Sequence, residues 1–279
     1  MNNGKQIELE DKETYGTRYE TVRDFVEATA SPANKKERYD TGPGWLGIGG
    51  GLRAVDKAVQ QGWTEGMTRA LEVKHRLTAT AAQLPGARAI RRKRSFGAQG
   101  DELDPHKLNT GNLDKAWTTT RRDFAPGSTI ITIRTSICAN GNRSGEELFF
   151  KGISAAILTD ILEEAGYRVE IVLYEHTKNG WANEREHGYK RAYIEVPCKA
   201  PDEPFDFNRV ITCTALAGFF RYHGFKAFYS QPWEVYGSLG STIEAPPAGL
   251  AHEQDILINR IYSEQAAIEF MQKTLERFA

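Results

Sequence analysis

The residues most suited to chemistry are a run of cations between Arg69 and Arg94. This stretch holds eight lysines and arginines against a single acid, Glu72. Because like charges repel, such a block favours a polyanionic partner, and phosphates are the commonest polyanion in a cytosol. The pattern predicts a nucleic-acid-binding surface; the alternative is a solvated helix end and loop whose cations pair with nearby acids. The cations are Arg69, Lys74, Arg76, Arg88, Arg91, Arg92, Lys93 and Arg94, and the acids are Asp101, Glu102 and Asp104.

Aromatic residues lie close to these cations in the sequence. Phe96 follows the block, and Trp117 and Phe124 flank Arg121 and Arg122. Cations that follow a phosphate backbone, beside rings on which bases stack, are what single-strand binding requires, and such binding tolerates any base sequence. The alternative for Trp117 is a place in the hydrophobic core.

Candidate catalytic groups are few and lack partners. Cys138 follows a predicted strand, with Ser136 beside it, where doubly wound proteins place ligands, but neither nucleophile has an identifiable base. His176 and His187 share one loop, and the sequence ANEREHG found there is not the His-Glu-x-x-His motif of zinc proteases. We therefore expect a protein that is not an enzyme and that uses no cofactor and no metal ion.

A strand-helix-strand unit between Ser128 and Tyr174 must position these groups. Residues 129–135 are rich in β-branched residues, as in a strand buried on both faces. Ser144 can cap a helix that starts near Glu146 and ends at Gly166, and a second strand follows over residues 169–174. This order predicts a parallel βαβ crossover, the unit of a doubly wound α/β sheet.

The rest of the chain alternates predicted helices and strands, which also indicates the α/β class. Residues 1–16 resemble a charged arm or an edge segment, and residues 174–187 are predicted to be a loop. Helices are expected over 18–30, 52–61, 63–82 and 207–223, and from Ser263 onwards. Strands are expected over 190–196, ended by Pro197, over 225–230 and over 255–259.

Composition limits the classes of function. The 279 residues include 36 Lys and Arg against 37 Asp and Glu, so the net charge of −1 indicates no partner and only its uneven distribution is informative. Cys138, Cys198 and Cys213 lack metal-ligand spacing, and their odd number argues against a disulfide framework, so a reduced cytosol is expected. No apolar run is long enough to cross a bilayer, so no membrane association is predicted.

The stretch from Ser128 onwards, with the helix and strand SAAILTDILEEAGYRVEIVLY, resembles a von Willebrand factor A-type domain. This resemblance implies a Rossmann-like sheet over residues 128–279, preceded by a helical, basic extension over residues 1–127. In that family an Asp-x-Ser-x-Ser loop holds a divalent metal, whereas this chain has Arg134-Thr135-Ser136-Ile137-Cys138. A guanidinium there would repel a cation, so the metal site is expected to be lost. Arg134 and Arg143 are then expected to flank the mouth of the sheet.

The N-terminal half, with GWTEG at residues 62–66 and GDELDPHKLNTGNLDKAW at residues 100–117, is similar to bacteriophage proteins. It looks most like the single-stranded-DNA-binding RNA polymerase cofactors of phages that carry a giant virion RNA polymerase. The resemblance implies a protein that binds single-stranded DNA in the cytoplasm of an infected bacterial host and helps a phage RNA polymerase start transcription.

Cooperative coating of a strand would require self-association. The alternative function is a protein-interaction adaptor that holds an acidic partner at the mouth of the sheet. The predicted nucleic-acid-binding residues are Lys74, Arg76, Arg88, Arg91, Arg92, Lys93, Arg94, Phe96, Trp117, Arg121, Arg122, Arg134 and Arg143.

Overall fold

A computed structural model describes residues 4–30, 42–80, 91–98, 102–123, 129–178, 190–229 and 241–278. Helices and a mixed central sheet make up these ranges, so the predicted α/β class is confirmed. Within them, no helix has both the length and the apolar character needed to cross a membrane.

A seven-stranded mixed sheet forms the centre of the described structure. β6 (Ile130–Ser136) is parallel to β7 (Arg168–Lys178) and β10 (Ile256–Ile258). β2 (Thr14–Arg18) is parallel to β8 (Arg191–Lys199), whereas β8 runs antiparallel to β7. Strands from both sides of residue 127 therefore share one sheet, while the division into residues 1–127 and 128–279 stays a prediction. The order is β1 (Lys5–Ile7), β2, β8, β7, β6 and β10, and β9 (Ser241–Thr242) pairs with β7.

The predicted crossover consists of β6, α6 (Gly145–Glu164) and β7. At the start of α6, the Ser144 hydroxyl accepts a hydrogen bond from the backbone N–H of Glu147 at 3.2 Å, and the Glu147 carboxylate accepts one from the Ser144 N–H at 2.8 Å. Gly166 follows the helix with φ 93°, a conformation that glycine adopts at little cost. These signals are local in sequence, and the parallel βαβ prediction is confirmed.

Helices pack on the central strands and bury their apolar residues. α1 (Val22–Thr29) and α7 (Phe207–Ala215) contact β8, and α6 contacts β6, β7 and β10. Outside this layer, α3 (Gly51–Gln61) and α4 (Thr64–Thr80) contact α7, and α10 (Glu264–Glu276) contacts α6. Because other elements surround it, α6 is buried along most of its length. The core residues include Ile133, Phe149, Ile171, Ile194 and Phe219.

α6 and α7 meet at backbone distance. A Cβ atom added to Gly152 would lie 2.2 Å from the carbonyl oxygen of Thr214. The Thr214 hydroxyl also donates a hydrogen bond to the Gly152 carbonyl at 3.0 Å. The position therefore requires glycine for a steric reason.

Several boundaries differ from the sequence predictions. β8 continues through Pro197, which lies opposite Val172 at an irregularity in the register, where a missing N–H is tolerated. β7 extends to Lys178, into the predicted loop, because it pairs there with β8 and β9. The strand predicted from Phe225 is wrong: this segment is α9 (Phe225–Tyr229), which follows a π-helical turn at Phe220–Gly224.

The long helix predicted over residues 207–223 is also divided. α7 ends at Ala215, Leu216 adopts an extended conformation, and the short helix α8 (Ala217–Phe219) follows. Near the start of the chain, another short helix, α2 (Pro43–Leu46), contacts α6 and α8. The charged segment predicted over residues 1–16 contributes β1 and the beginning of β2.

Candidate nucleic-acid interface

A separate three-stranded sheet carries many of the predicted basic and aromatic residues. Its strands are β3 (Arg91–Gly97), β5 (Trp117–Asp123) and β4 (Glu102–Leu103), in that order and all antiparallel. The connection from β4 to β5 holds α5 (Pro105–Asn109) and a 3-10 turn at Leu113–Lys115. This small sheet brings together two basic segments that are separated in the sequence.

The register of the small sheet places cations directly opposite one another. Arg92 pairs with Arg122, and Lys93 pairs with Arg121. Like charges at directly opposed positions destabilise an antiparallel pair. The register therefore sets two pairs of basic residues at directly opposed positions. The neighbouring register pairs are Arg91 with Asp123, Arg94 with Thr120, and Phe96 with Thr118.

Trp117 begins β5 and is 36% exposed, in contrast to Trp63, which is 4% exposed in the hydrophobic core. Its register partner Leu103 is 42% exposed. Of the six large apolar residues exposed in the described part of the chain, four lie in this region: Leu103, Leu108, Leu113 and Trp117. An exposed indole in a sheet that also carries basic residues suits the stacking of nucleic-acid bases.

The helical half of the basic block is ion-paired. Lys74 on α4 lies 2.6 Å from a carboxylate oxygen of Asp160 on α6, and Arg76 lies 2.6 Å from Glu264 on α10. Arg69 similarly lies 2.6 Å from Glu146. These cations connect α4 to its neighbours, so the basic block divides into a helical part with acidic partners and a strand part in the small sheet.

Two residues named in the sequence predictions, Arg88 and the acid Asp101, lie outside the described part of the chain. Asp104, a second acid of the alternative interpretation, accepts a hydrogen bond from the backbone N–H of Lys107 at 3.3 Å, at the start of α5.

Arg134 lies inside the seven-stranded sheet rather than at an open mouth. Its Nε atom donates to Asp255 at 2.9 Å and its Nη1 atom to Glu195 at 3.1 Å, and both carboxylates are buried. Glu195 also accepts hydrogen bonds from Arg18 and from the Tyr193 hydroxyl, each at 2.7 Å. The guanidinium therefore belongs to a buried ionic network.

Arg143 occupies a different setting, on the loop between β6 and α6. Its Nη1 atom donates to Glu147 at 2.7 Å, and its guanidinium carbon lies 4.1 Å from the centre of the Tyr262 ring. The side chain is 38% exposed. Arg134 and Arg143 thus have separate acidic partners.

A buried polar cluster lies near the carboxyl ends of β6 and β7, and the sequence analysis missed two of its members, Lys151 on α6 and Glu175 on β7. The Lys151 ammonium donates to the Cys138 carbonyl at 2.5 Å, and burial lowers its pKa to about 8. Glu175 is also buried, and burial raises the pKa of its carboxyl well above the ordinary value. A charged residue inside an apolar run, as in FFKGIS and VLYEH, is the signal that could have found both.

The candidate nucleophiles lie beside this cluster. The Ser136 hydroxyl oxygen is 3.2 Å from the Cys138 sulfur. His176 uses Nδ1 for a contact of 2.7 Å with the Ala245 carbonyl. Among the described residues, no group of three His, Cys, Asp or Glu side chains could hold a metal ion.

Comparison with known proteins identifies a family. No curated protein and no solved structure matches the chain. One family profile matches residues 5–279, and its description is a domain of unknown function, DUF7192. The match includes both the small sheet and the seven-stranded sheet. The chain therefore belongs to the DUF7192 family.

Proposed function

We propose that the protein binds single-stranded DNA, with little preference for base sequence, through the small sheet and without catalysing a reaction. One observation carries this proposal: the register opposes Arg92 to Arg122 and Lys93 to Arg121. Directly opposed like charges do not stabilise the pairing of two strands. A row of phosphates along the strands would be attracted to both members of each pair.

The electrostatic part of this binding has a measurable signature. Each phosphate contact releases condensed counterions, so the logarithm of affinity falls linearly with the logarithm of salt concentration, by about 0.7 per contact for a single strand. If two to four of the opposed cations each contact one phosphate, the slope should lie between about −1.4 and −3.

Fluorescence anisotropy tests the proposal. Labelled single-stranded and duplex DNA of equal length are titrated with the protein across a salt series. We expect a preference for the single strand and a steep salt slope. The triple variant Arg91→Glu, Arg92→Glu and Arg94→Glu should abolish binding, because each replacement turns a positive charge into a negative one and the small sheet then repels phosphates from both faces.

A control variant separates this site from a general effect of charge. Lys12, Arg53 and Lys57 are exposed and lie outside the small sheet. Reversing all three changes the net charge by the same amount as the triple variant in β3, and it should leave strand binding nearly intact. No binding by the unmodified protein at low salt would discard the nucleic-acid proposal and favour the protein-interaction adaptor.

The finer fold assignment, a von Willebrand A-like doubly wound sheet, remains part of this proposal. Apart from the two-residue strand β9, which pairs at the end of β7, the strands of residues 128–279 are β6, β7, β8 and β10 in chain order. Their spatial order, β8-β7-β6-β10, corresponds to the 3-2-1-4 order of doubly wound sheets. The antiparallel direction of β8 is a departure from an all-parallel sheet.

The resemblance to phage cofactors adds a partner, a phage RNA polymerase. The test measures transcription initiation by such a polymerase on a single-stranded template, with and without the protein. The expected result is stimulation by the unmodified protein and none by the triple variant in β3. Stimulation by both proteins would place the polymerase contact away from the small sheet.

A further inference from the structure

We infer that the nucleic-acid strand lies on one face of the small sheet, the face that carries Trp117 and Leu103 together with the positions of Lys93 and Arg121. This inference rests on the proposed function and makes it more specific. It assigns base stacking to Trp117 and phosphate binding to Lys93 and Arg121, and it assigns neither role to Arg92 or Arg122.

The two faces follow from the alternation of β-strands. Residues two apart on a strand share a face, as do residues directly opposite each other on neighbouring strands. Trp117 is opposite Leu103, and two steps of alternation along β5 lead from Trp117 to Arg121, whose partner is Lys93. Thr118 begins the other face, which carries the positions of Phe96, Arg94, Arg92 and Arg122.

The exposed fractions of the side chains at the start of β5 show which face of the small sheet is accessible there. Trp117 and Leu103 are 36% and 42% exposed, whereas Thr118 is 6% exposed and Ala116, two residues before it, is 2% exposed. The Thr118 face is therefore covered at this end, and the Trp117 face is accessible. A base can reach the indole only from the accessible side.

Charge does not distinguish the two faces. Each face holds three cationic positions and one acidic position. A partner recognised by charge alone would therefore bind both faces equally well. The accessible ring of Trp117 is then what favours binding to its own face. The Trp117 face carries Arg91, Lys93, Arg121 and Asp123, and the Thr118 face carries Arg92, Arg94, Arg122 and Glu102.

The spacing on the Trp117 face sets a minimum length for the bound strand. Trp117 and Arg121 are four residues apart on β5, which corresponds to about 14 Å at 3.4 Å per residue. Stacked nucleotides advance by about 3.4 Å each, so about four of them span this distance, and an unstacked strand, which extends further per nucleotide, needs fewer. A single nucleotide cannot contact the ring and the cations together.

Two matched double variants test the inference with a labelled oligothymidylate of about 16 nucleotides, the upper end of known single-strand site sizes. Lys93→Ala with Arg121→Ala should reduce the steepness of the salt slope by about 1.4, which corresponds to two lost phosphate contacts. Arg92→Ala with Arg122→Ala removes the same charge and should leave the slope unchanged. Each variant removes one directly opposed pair of like-charged residues, so both should fold, and urea unfolding checks this.

A substitution of the aromatic ring supplies an independent readout. Trp117→Ala should weaken binding about fivefold to 150-fold without changing the salt slope, because stacking involves no counterion release. Trp117→Phe keeps a ring and should retain most of the affinity. Thymidylates of two and of about eight nucleotides should differ in affinity far more for the unmodified protein than for Trp117→Ala.

The outcomes separate this inference from the proposed function. Equal loss of slope in the two double variants, with full binding by Trp117→Ala, would overturn the assignment to one face and leave nucleic-acid binding by the small sheet intact. If neither double variant changes the slope, both the assignment and the proposed site fail. If the unmodified protein binds no oligothymidylate, the proposed function itself fails.

Discussion

Replacing Arg134 with methionine should destabilise the fold without weakening strand binding. Arg134 is the cation between Asp255 and Glu195, and all three side chains are buried. In the variant, Glu195 keeps its bonds from Arg18 and Tyr193. Among the described residues, Asp255 then keeps one hydrogen-bond donor to its carboxylate, the backbone N–H of His252 at 3.0 Å. A buried charge left without its partner costs about 3–5 kcal/mol. Because Glu195 stays compensated, we expect a loss of about 3 kcal/mol.

Urea unfolding followed by circular dichroism measures the free energy of unfolding, and anisotropy on the same samples measures strand binding. Arg143→Met is the matched control: its ion pair with Glu147 is partly exposed, so this change should cost less than about 1 kcal/mol. Adding Asp255→Asn to Arg134→Met should restore part of the stability, since the uncompensated charge is then removed.

Two results would contradict this reasoning. If Arg134→Met unfolds at the same urea concentration as the unmodified protein, the network contributes little and its geometry is a poor guide to energy. If the variant is stable but its affinity for a single strand falls tenfold, Arg134 contacts nucleic acid, as the sequence alone suggests.

Three further predictions concern other parts of the fold. Replacing Lys74 and Arg76 with alanine should change strand affinity less than twofold in the anisotropy assay, because both cations already have acidic partners; a loss equal to that of the β3 variants would contradict this. Gly152→Ala should lower the urea midpoint sharply, since its Cβ would overlap the backbone of α7; an unchanged midpoint would mean that α6 and α7 separate at little cost. Burial lowers the pKa of His223 to about 3 from 6.5, so the unfolded chain binds more protons in that window and stability falls as pH drops through it. His223→Phe should flatten this dependence in urea unfolding at pH 4 to 7, and an unchanged slope would assign it to other groups.

The sequence predicts those parts of the fold whose signals are local. Ser144, Glu147 and Gly166 determine the ends of α6 without help from distant residues, and the flanking strands follow directly. β1 has no such signal, because Lys5–Ile7 is a strand only through its pairing with β2. Pro197 wrongly predicts the end of β8, because the backbone hydrogen bond that proline cannot donate falls at an irregularity in the register.

The same difference between local signals and contacts with distant residues applies to the candidate site. The sequence finds the basic residues, but their partners come from elsewhere in the chain: Asp160 for Lys74, Glu264 for Arg76 and Asp255 for Arg134. Composition cannot show which cations are already neutralised. Nor can it show that Arg121 lies opposite Lys93, because that depends on the register of two strands joined by a long connection.

The pairing of β2 with β8 has a consequence for how the chain folds during synthesis. Arg18 and Glu195 are 177 residues apart, yet they lie on neighbouring strands. At 5–20 residues per second, a ribosome needs roughly 9–35 s to make the residues between them. After they leave the ribosome, β1 and β2 must therefore wait for β8, and this edge of the sheet forms late. A pause in translation before residue 191 would leave β1 and β2 without the strand on which they fold.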